Sequence, residues 1–304
     1  MRILVTGGAG FIASHVVDAY LNAGHEVIIM DDLSTGRKEN VNNRATFFEV
    51  DIRSQEAFEI IVREKPEVIN HHAAHIHVGR SVLDPKHDAD INIFGSLNLL
   101  NAAKEAGSVK HVIFAATGGA MYGPKPTPFV ETMIPQPLSP YGISKRAVEL
   151  YLFFYQETHG IGFTSLRYAN VYGPRQNPFG EAGVISIFLD KLKNNQQPTI
   201  NGDGKQTRDY VFVGDVAEAN LLALEKRPSG EFNIGTSIET DVNEIYELVR
   251  QAAQSSIEAD HGPARAGEQQ TSSLDFTKAK TILDWEPQVN LAQGIKQTAD
   301  YFLS

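Results

Sequence analysis

The chain has 304 residues, 42% of them hydrophobic, enough to bury one large core or one core plus a smaller lobe. Its formal net charge of −10 argues against a nucleic-acid or anionic-membrane partner. The absence of cysteine excludes disulfides, a thiolate nucleophile and thiolate-ligated metal sites.

The opening Met1-Arg2-Ile3-Leu4-Val5-Thr6-Gly7-Gly8 runs straight into a strand and a glycine turn, leaving no room for a signal peptide. No apolar run reaches the roughly 18 residues needed to span a bilayer, so the expected address is cytoplasmic. Residues 2–5 read as a buried strand. The turn Gly7-Gly8-Ala9-Gly10-Phe11-Ile12-Ala13 follows, then an amphipathic helix to about residue 23 and a strand at 26–30 that ends at Asp31 and Asp32. A strand, a glycine turn, a helix and a strand with an acid at its end is the setting of a dinucleotide site. Gly7 permits the turn, Gly10 lets backbone approach a pyrophosphate, and Ala13 lets the helix pack on the sheet. The amides at the helix N-terminus would hold the phosphates. Asp31 would accept hydrogen bonds from the adenosine ribose and repel a 2′-phosphate, which favours NAD over NADP.

The alternation continues with a strand at 45–50 ending at Asp51, a helix at 55–65, and a strand at 67–70 running into His71-His72-Ala73-Ala74-His75-Ile76-His77. A helix is expected over 90–106 and a strand over 110–116, the latter running into Thr117-Gly118-Gly119-Ala120-Met121-Tyr122-Gly123. After a proline-rich loop come a helix to about residue 159 and a sixth strand at 163–168. This order predicts an α/β protein with a Rossmann-type, doubly wound parallel sheet whose ligands lie beyond the carboxyl ends of the strands. Gly7, Asp31, Ala73, Thr117 and Tyr168 all fall at or just after such ends.

Within the helix that opens near residue 140, Tyr141 and Lys145 lie one turn apart on one face. Ser139 and Pro140 are placed as an N-cap and a first-turn proline. A tyrosine base working at neutral pH needs its pKa lowered by about 3 units, or about 4 kcal/mol. A neighbouring lysine, the helix N-terminus and a cationic nicotinamide could together provide that.

Four histidines within residues 71–77 invite a metal reading. At a strand end they would point in alternating directions, and no carboxylate is suitably placed nearby, so loop histidines beside a cofactor and no metal are expected.

Beyond Tyr168 the segments shorten. Helices are expected over 183–194, 215–225, 242–254, 277–283 and 291–303, and strands over 198–200, 208–213 and 232–234. The division this suggests is an NAD-binding domain over 1–168, to which parts of about 202–238 return, and a smaller, interleaved substrate lobe over 169–304.

With these motifs in view, the chain resembles the extended short-chain dehydrogenase/reductase (NAD-dependent epimerase/dehydratase) family, and within it the UDP-galactose (UDP-glucose) 4-epimerases. The resemblance rests on residues 6–12, on Asp31-Asp32-Leu33-Ser34-Thr35-Gly36, on His72-Ala73-Ala74 and on Ser139 through Lys145. It continues through Arg167 to Pro174, Gly202-Asp203-Gly204 with Arg208-Asp209-Tyr210, and Arg265-Ala266-Gly267-Glu268.

The resemblance implies pyrophosphate contacts at Gly7, Gly10, Phe11 and Ile12, and ribose contacts at Asp31, Asp32, Leu33, Ser34, Thr35 and Gly36. It places adenine contacts at Asp51 and Ile52, a cofactor loop at His72, Ala73 and Ala74, and further cofactor-side residues at Asn92 and Tyr168. Tyr141 matches the catalytic base and Lys145 its partner, which also binds the nicotinamide ribose. Asn170, Val184, Thr199, Asn201, Arg208 and Arg265 fall where the family holds a nucleoside diphosphate. Two arginines suit a diphosphate because each presents a planar donor fork. The implied reaction is a hydride shuttle at C4 of a UDP-hexose, with Tyr141 taking the proton of the 4-hydroxyl. A homodimer formed by pairing the helices at 90–106 and 141–159 is implied as well.

One departure stands out. Where many relatives carry a catalytic serine or threonine, this chain has Gly118, with Thr117 one residue earlier and Gly119 following. Either the Thr117 hydroxyl reaches the sugar or a water fills the gap; Thr117 is the preferred third catalytic residue. The acidic pair that sugar-nucleotide 4,6-dehydratases carry here is absent, which argues against dehydration. Ser272 stands where some relatives have a bulky tyrosine, leaving room for an N-acetyl group. UDP-N-acetylhexosamine or UDP-glucuronate epimerisation therefore remain alternatives. A non-catalytic NAD- and nucleotide-binding sensor is another, opposed by the intact Tyr141 and Lys145.

Overall fold

The computed structural model describes residues 1–179, 183–264 and 269–304. Arg265, expected on the diphosphate, lies outside the described residues. The frame is a seven-stranded sheet made of β1 (Arg2–Thr6), β2 (Glu26–Asp31), β3 (Thr46–Glu49), β4 (Val68–His71), β5 (His111–Thr117), β6 (Gly162–Tyr168) and, returning late, β11 (Gly230–Ile234). Their spatial order is β3-β2-β1-β4-β5-β6-β11, and every neighbouring pair is parallel. The expected doubly wound parallel sheet is the observed one.

Alternation of side chains along the strands splits the core between the two faces. Leu4, Ile28, Met30 and Ile69 pack with α2 (Gln55–Glu64), α5 (Ser96–Ala106) and α6 (Pro140–His159). Ile3, Val5, Val27 and Ile29 pack with α1 (Phe11–Asn22), α8 (Val213–Lys226) and the buried Trp285. Strands buried on both faces explain the near-continuous apolar runs in the sequence. No helix among the described residues is long and apolar enough to cross a membrane.

The smaller lobe has its own core, formed mainly by α7 (Val184–Lys193), α9 (Val242–Ala252) and α10 (Leu291–Leu303) around Phe188, Ile245 and Ile295. Its strands are short and pair two by two. They are β7 (Asn170–Tyr172) with β10 (Tyr210–Phe212), β8 (Thr199–Asn201) with β13 (Asp260–Gly262), and β9 (Thr207–Arg208) with β12 (Thr240–Asp241).

Two local expectations are corrected, and two short helices are added. The single helix over 90–106 opens as a π-helical turn, Asp90–Gly95, before α5, and the Ser96 hydroxyl donates to the Asn92 carbonyl at 2.6 Å across that junction. Two unforeseen short helices, α3 (Val78–Leu83) and α4 (Pro85–Ala89), precede it. Asp84 caps α4 by accepting from the His87 amide, a cap-and-proline signal too short to stand out in an apolar pattern. The strand expected over 208–213 breaks at Asp209, because that carboxylate bonds to a neighbouring loop while its backbone carbonyl accepts from the Asn170 amide.

Candidate active site

The cofactor side is built from strand ends. Gly7 has φ +70°, and a Cβ there would lie 2.7 Å from the Ala73 nitrogen, so β1 and the loop after β4 close on each other only through a glycine. Gly10 is the N-cap of α1 and has no side-chain cap, which leaves the first-turn amides to an anion. Asp31 is buried at the end of β2, where its two carboxylate oxygens accept from the amides of Leu33 at 2.8 Å and Ala9 at 3.0 Å. Burial raises its pKa against those bonds. A carboxylate has lone pairs beyond these two, enough for a ribose hydroxyl. Asp32 accepts from both the amide and hydroxyl of Ser34. Asp51 is ion-paired with Arg53, which holds its pKa down, and Ile52 beside it is buried.

The histidine run divides by role. His71 is buried between the Thr6 hydroxyl at 2.7 Å and the Ser96 hydroxyl at 2.9 Å, and burial holds its pKa well below the usual value. His72 stacks on Tyr168, and its Nε2 meets the Tyr168 hydroxyl at 3.2 Å. Burial and the nearby Lys145 push His72 down to about 3, so the ring is neutral. Its Nδ1 is buried without a hydrogen-bond partner. An orphaned polar atom beside the Gly7 cradle fits a polar cofactor, as does the uncapped helix. The expectation that no carboxylate lies near the run is corrected, because Asp88 on α4 comes within 3.3 Å of the His75 Nδ1. Among the described residues no three histidine or acidic side chains are arranged to hold a metal ion.

Helix α6 is capped as its sequence predicts, with the Ser139 hydroxyl accepting from the Gly142 amide at 3.2 Å and Pro140 at its first position. A Cβ on Gly142 would lie 2.3 Å from the Ala120 carbonyl oxygen, so this glycine lets α6 press against the turn that follows β5. That contact sets the start of α6, which carries Tyr141 and Lys145, against the turn whose Ala120 amide donates to Thr117. Lys145 is buried, donates to the Ala115 carbonyl at 2.8 Å, and lies 5.9 Å from the centroid of the Tyr141 ring. Burial lowers its pKa to about 8, while Asp88 and Glu149 pull the other way.

Thr117 accepts from the Ala120 amide at 3.2 Å, which fixes the hydroxyl oxygen and leaves its proton to donate. Gly118 is not an open gap. A Cβ there would meet Leu274 Cδ1 at 2.4 Å, so the leucine fills the volume that a serine or threonine side chain would take. Gly119 lies open beside Asn170, whose Oδ1 is 3.8 Å from where its Cβ would be.

Asn92 spends its amide on the His75 backbone, on Asp88 and on the Ser144 hydroxyl. It thereby ties the cofactor loop to α6. The buried Tyr168 hydroxyl accepts from Asn220 at 2.8 Å and touches His72, so it supports the cofactor loop from beneath.

On the smaller lobe, Val184 opens α7, Thr199 and Asn201 lie in β8, and Arg208 lies in β9. Ser272 is buried in the segment next to Leu274. That segment is strapped to the Phe129 loop, where the Phe129 amide donates to the Ser273 carbonyl at 2.8 Å. Sequence reasoning missed Leu274 and Asp88, since neither lies in a motif.

The profile of the NAD dependent epimerase/dehydratase family matches residues 3–235. The chain belongs to that family. It is 43% identical over 309 residues to the UDP-glucose 4-epimerase of Mycolicibacterium smegmatis, covering 99% of this chain and 98% of that protein. A crystal structure of the Thermotoga maritima UDP-glucose 4-epimerase with UDP-glucose superposes with a TM-score of 0.96 at 48% identity, over 99% of this chain and 98% of that one. The Thermus thermophilus UDP-glucose 4-epimerase in complex with NAD gives a TM-score of 0.95 at 44% identity, over 99% of both chains. Membership makes this an NAD-dependent enzyme, so the glycine turn and strand-end acids are read as its cofactor side.

Proposed function

We propose that this protein is a UDP-hexose 4-epimerase that interconverts UDP-glucose and UDP-galactose. The observation that carries the reading is the pairing of Tyr141 with a buried Lys145 beside the Gly7–Gly10 cradle. NAD held at the Gly7–Gly10 turn would supply a reversible hydride acceptor for C4, which makes the reaction redox-neutral. Tyr141 takes the proton of the 4-hydroxyl and returns it. Lys145, held as an ammonium one turn away, lowers the tyrosine pKa, and the first turn of α6 adds its dipole. Thr117 presents its hydroxyl proton to the same sugar oxygen, with Leu274 excluding water at Gly118. Asn170, Val184, Thr199, Asn201, Arg208 and Arg265 are assigned to the nucleoside diphosphate, which anchors the hexose while it turns between its two faces. Asp31, Asp32, Leu33, Ser34, Thr35, Gly36, Asp51 and Ile52 are assigned to the adenosine, and His72, Ala73 and Ala74 to the rest of the cofactor.

A second substrate reading has its own support. Ser272 is small and buried next to Leu274, which suits a sugar bearing a 2-N-acetyl group. Purified protein is incubated with UDP-galactose, UDP-N-acetylgalactosamine or UDP-galacturonate without added NAD, and the 4-epimers are assayed. Conversion of UDP-galactose is expected, and the relative rates rank the Ser272 argument. No conversion of any substrate, even with NAD supplied, would sink the epimerase reading.

The protein is further proposed to be a cytoplasmic homodimer. Ile143, Leu150, Phe153 and Phe154 of α6 are exposed, as are Phe94 before α5 and Leu83 of α3. An apolar surface of this kind suits a second copy of the chain. Light scattering should give twice the mass of the chain, and L150E with F153E should reduce it to one.

A further inference from the structure

Asp88 sits on α4 at 1% exposure, beneath the catalytic helix. Its Oδ1 meets His75 Nδ1 at 3.3 Å and accepts from Asn92 Nδ2 at 3.1 Å. Its Oδ2 is buried without a hydrogen-bond partner. A carboxylate in that state is costly unless a cation compensates it.

Helix α4 packs on α6, and Lys145 of α6 is the cation that Asp88 attracts. An ammonium has three donors, and one of those of Lys145 goes to the Ala115 carbonyl. The other titratable groups around Lys145 do not offer it a negative charge. His71 and His72 are held neutral by burial. Tyr141 is the group whose proton is to move. Glu149, one turn further along α6, is the second acid that attracts Lys145. Its oxygens are taken by Arg167 at 2.9 and 2.8 Å, by Arg146 at 2.9 Å and by Ser165 at 2.8 Å. Its charge is thus answered twice by arginine, whereas Asp88 has only the His75 ring and the Asn92 amide. The rings of His77 and His87 pack around His75 on the far side. Asn92 also donates to the Ser144 hydroxyl at 3.2 Å, and Ser144 donates to the Tyr141 carbonyl at 2.9 Å.

We propose that Asp88 is a positioning residue for the proton-transfer pair. Held by His75 and Asn92, its carboxylate keeps Lys145 in the ammonium form and, through Asn92 and Ser144, steadies the turn that carries Tyr141. This rests on the reading of Tyr141 and Lys145 as that pair. Burial alone drives Lys145 toward losing its proton near physiological pH, and a buried carboxylate opposes that loss.

The test is the pH dependence of kcat for UDP-galactose epimerisation in wild type, Asp88→Asn, Asp88→Glu and Tyr141→Phe. In wild type the alkaline limb follows loss of the Lys145 proton. D88N keeps the shape and removes the charge, so the limb should move to lower pH by about one unit, with KM little changed. D88E keeps the charge and should keep the limb, even where kcat falls. If D88N does not fold, Asp88→Ser replaces it and must show the same shift. A limb that stays in place in the uncharged variant, or one that moves equally in D88E, overturns the proposal. Substantial turnover by Y141F would instead overturn the underlying reading of the site, which separates the two failures.

Discussion

The two halves of the molecule hold their functional atoms by different means. On the cofactor side, strands of four to seven residues in one parallel sheet set the positions of Gly7, Asp31, His72 and Thr117 through backbone ladders. In the smaller lobe, strands of two or three residues pair two by two, too short to fix a loop by themselves. There a buried side chain does what a ladder does elsewhere. Asp209 accepts from the amides of Thr236, Ser237 and Leu274 and from the Thr236 hydroxyl. It thereby places Leu274 against Gly118. A single carboxylate can hold two other segments because each charge-assisted bond is stronger than a neutral one.

The exception within the sheet half is α6, which is locked to β6 by the bidentate Glu149–Arg167 pair, both partners buried. Removing one partner leaves an uncompensated buried charge. Glu149→Ala is therefore expected to cost about 3–5 kcal/mol in urea unfolding at pH 7, the largest loss among these variants. Asp209→Asn turns an acceptor into a partial donor facing backbone amides. It should cost about 2 kcal/mol, with a raised KM for UDP-sugar through displacement of the Leu274 segment. A larger stability loss in D209N than in E149A would break the contrast between the two halves.

The smallest effect should have the opposite sign. The folded-state pKa of Lys145 is depressed from 10.5 to about 8, so the charged form is disfavoured by folding. That cost is fully present below pH 8 and is relieved as pH rises from 8 to 10.5. Lys145→Met removes about 3 kcal/mol of burden at pH 7, a figure already net of the attraction of Asp88 and Glu149, and leaves the Ala115 carbonyl without its donor, for a net gain of about 1 kcal/mol. The gain should shrink across that alkaline range, while epimerase turnover is lost. A K145M variant less stable than wild type at pH 7 would remove the idea that the site stores this cost.

Much of the site was legible because its signals are local. The Ser139 cap, the proline after it and the spacing of Tyr141 to Lys145 lie within seven residues of one helix start. The strand end carrying Asp31 was readable because it closes an apolar run, Val27 to Met30. What was not legible came from pairings across the sheet or between lobes. Nothing near Asp88 in sequence marks it as a partner of Lys145, and nothing near Leu274 marks it as the filler of Gly118. The π-helical turn before α5 was hidden because its residues also suit an ordinary helix.

By itself, the sequence determined the first six strands of the sheet and the longer helices between them, the glycine turn, and the face on which Tyr141 and Lys145 stand. Those depend on hydrogen bonds and contacts between residues a few positions apart. Only the tertiary structure decided that Asp88 is tied through Asn92 to Ser144 of α6, that His72 stacks on Tyr168 and that Leu274 closes the space at Gly118. Those depend on which distant surfaces pack together, and burial then sets the charge state of each group they enclose.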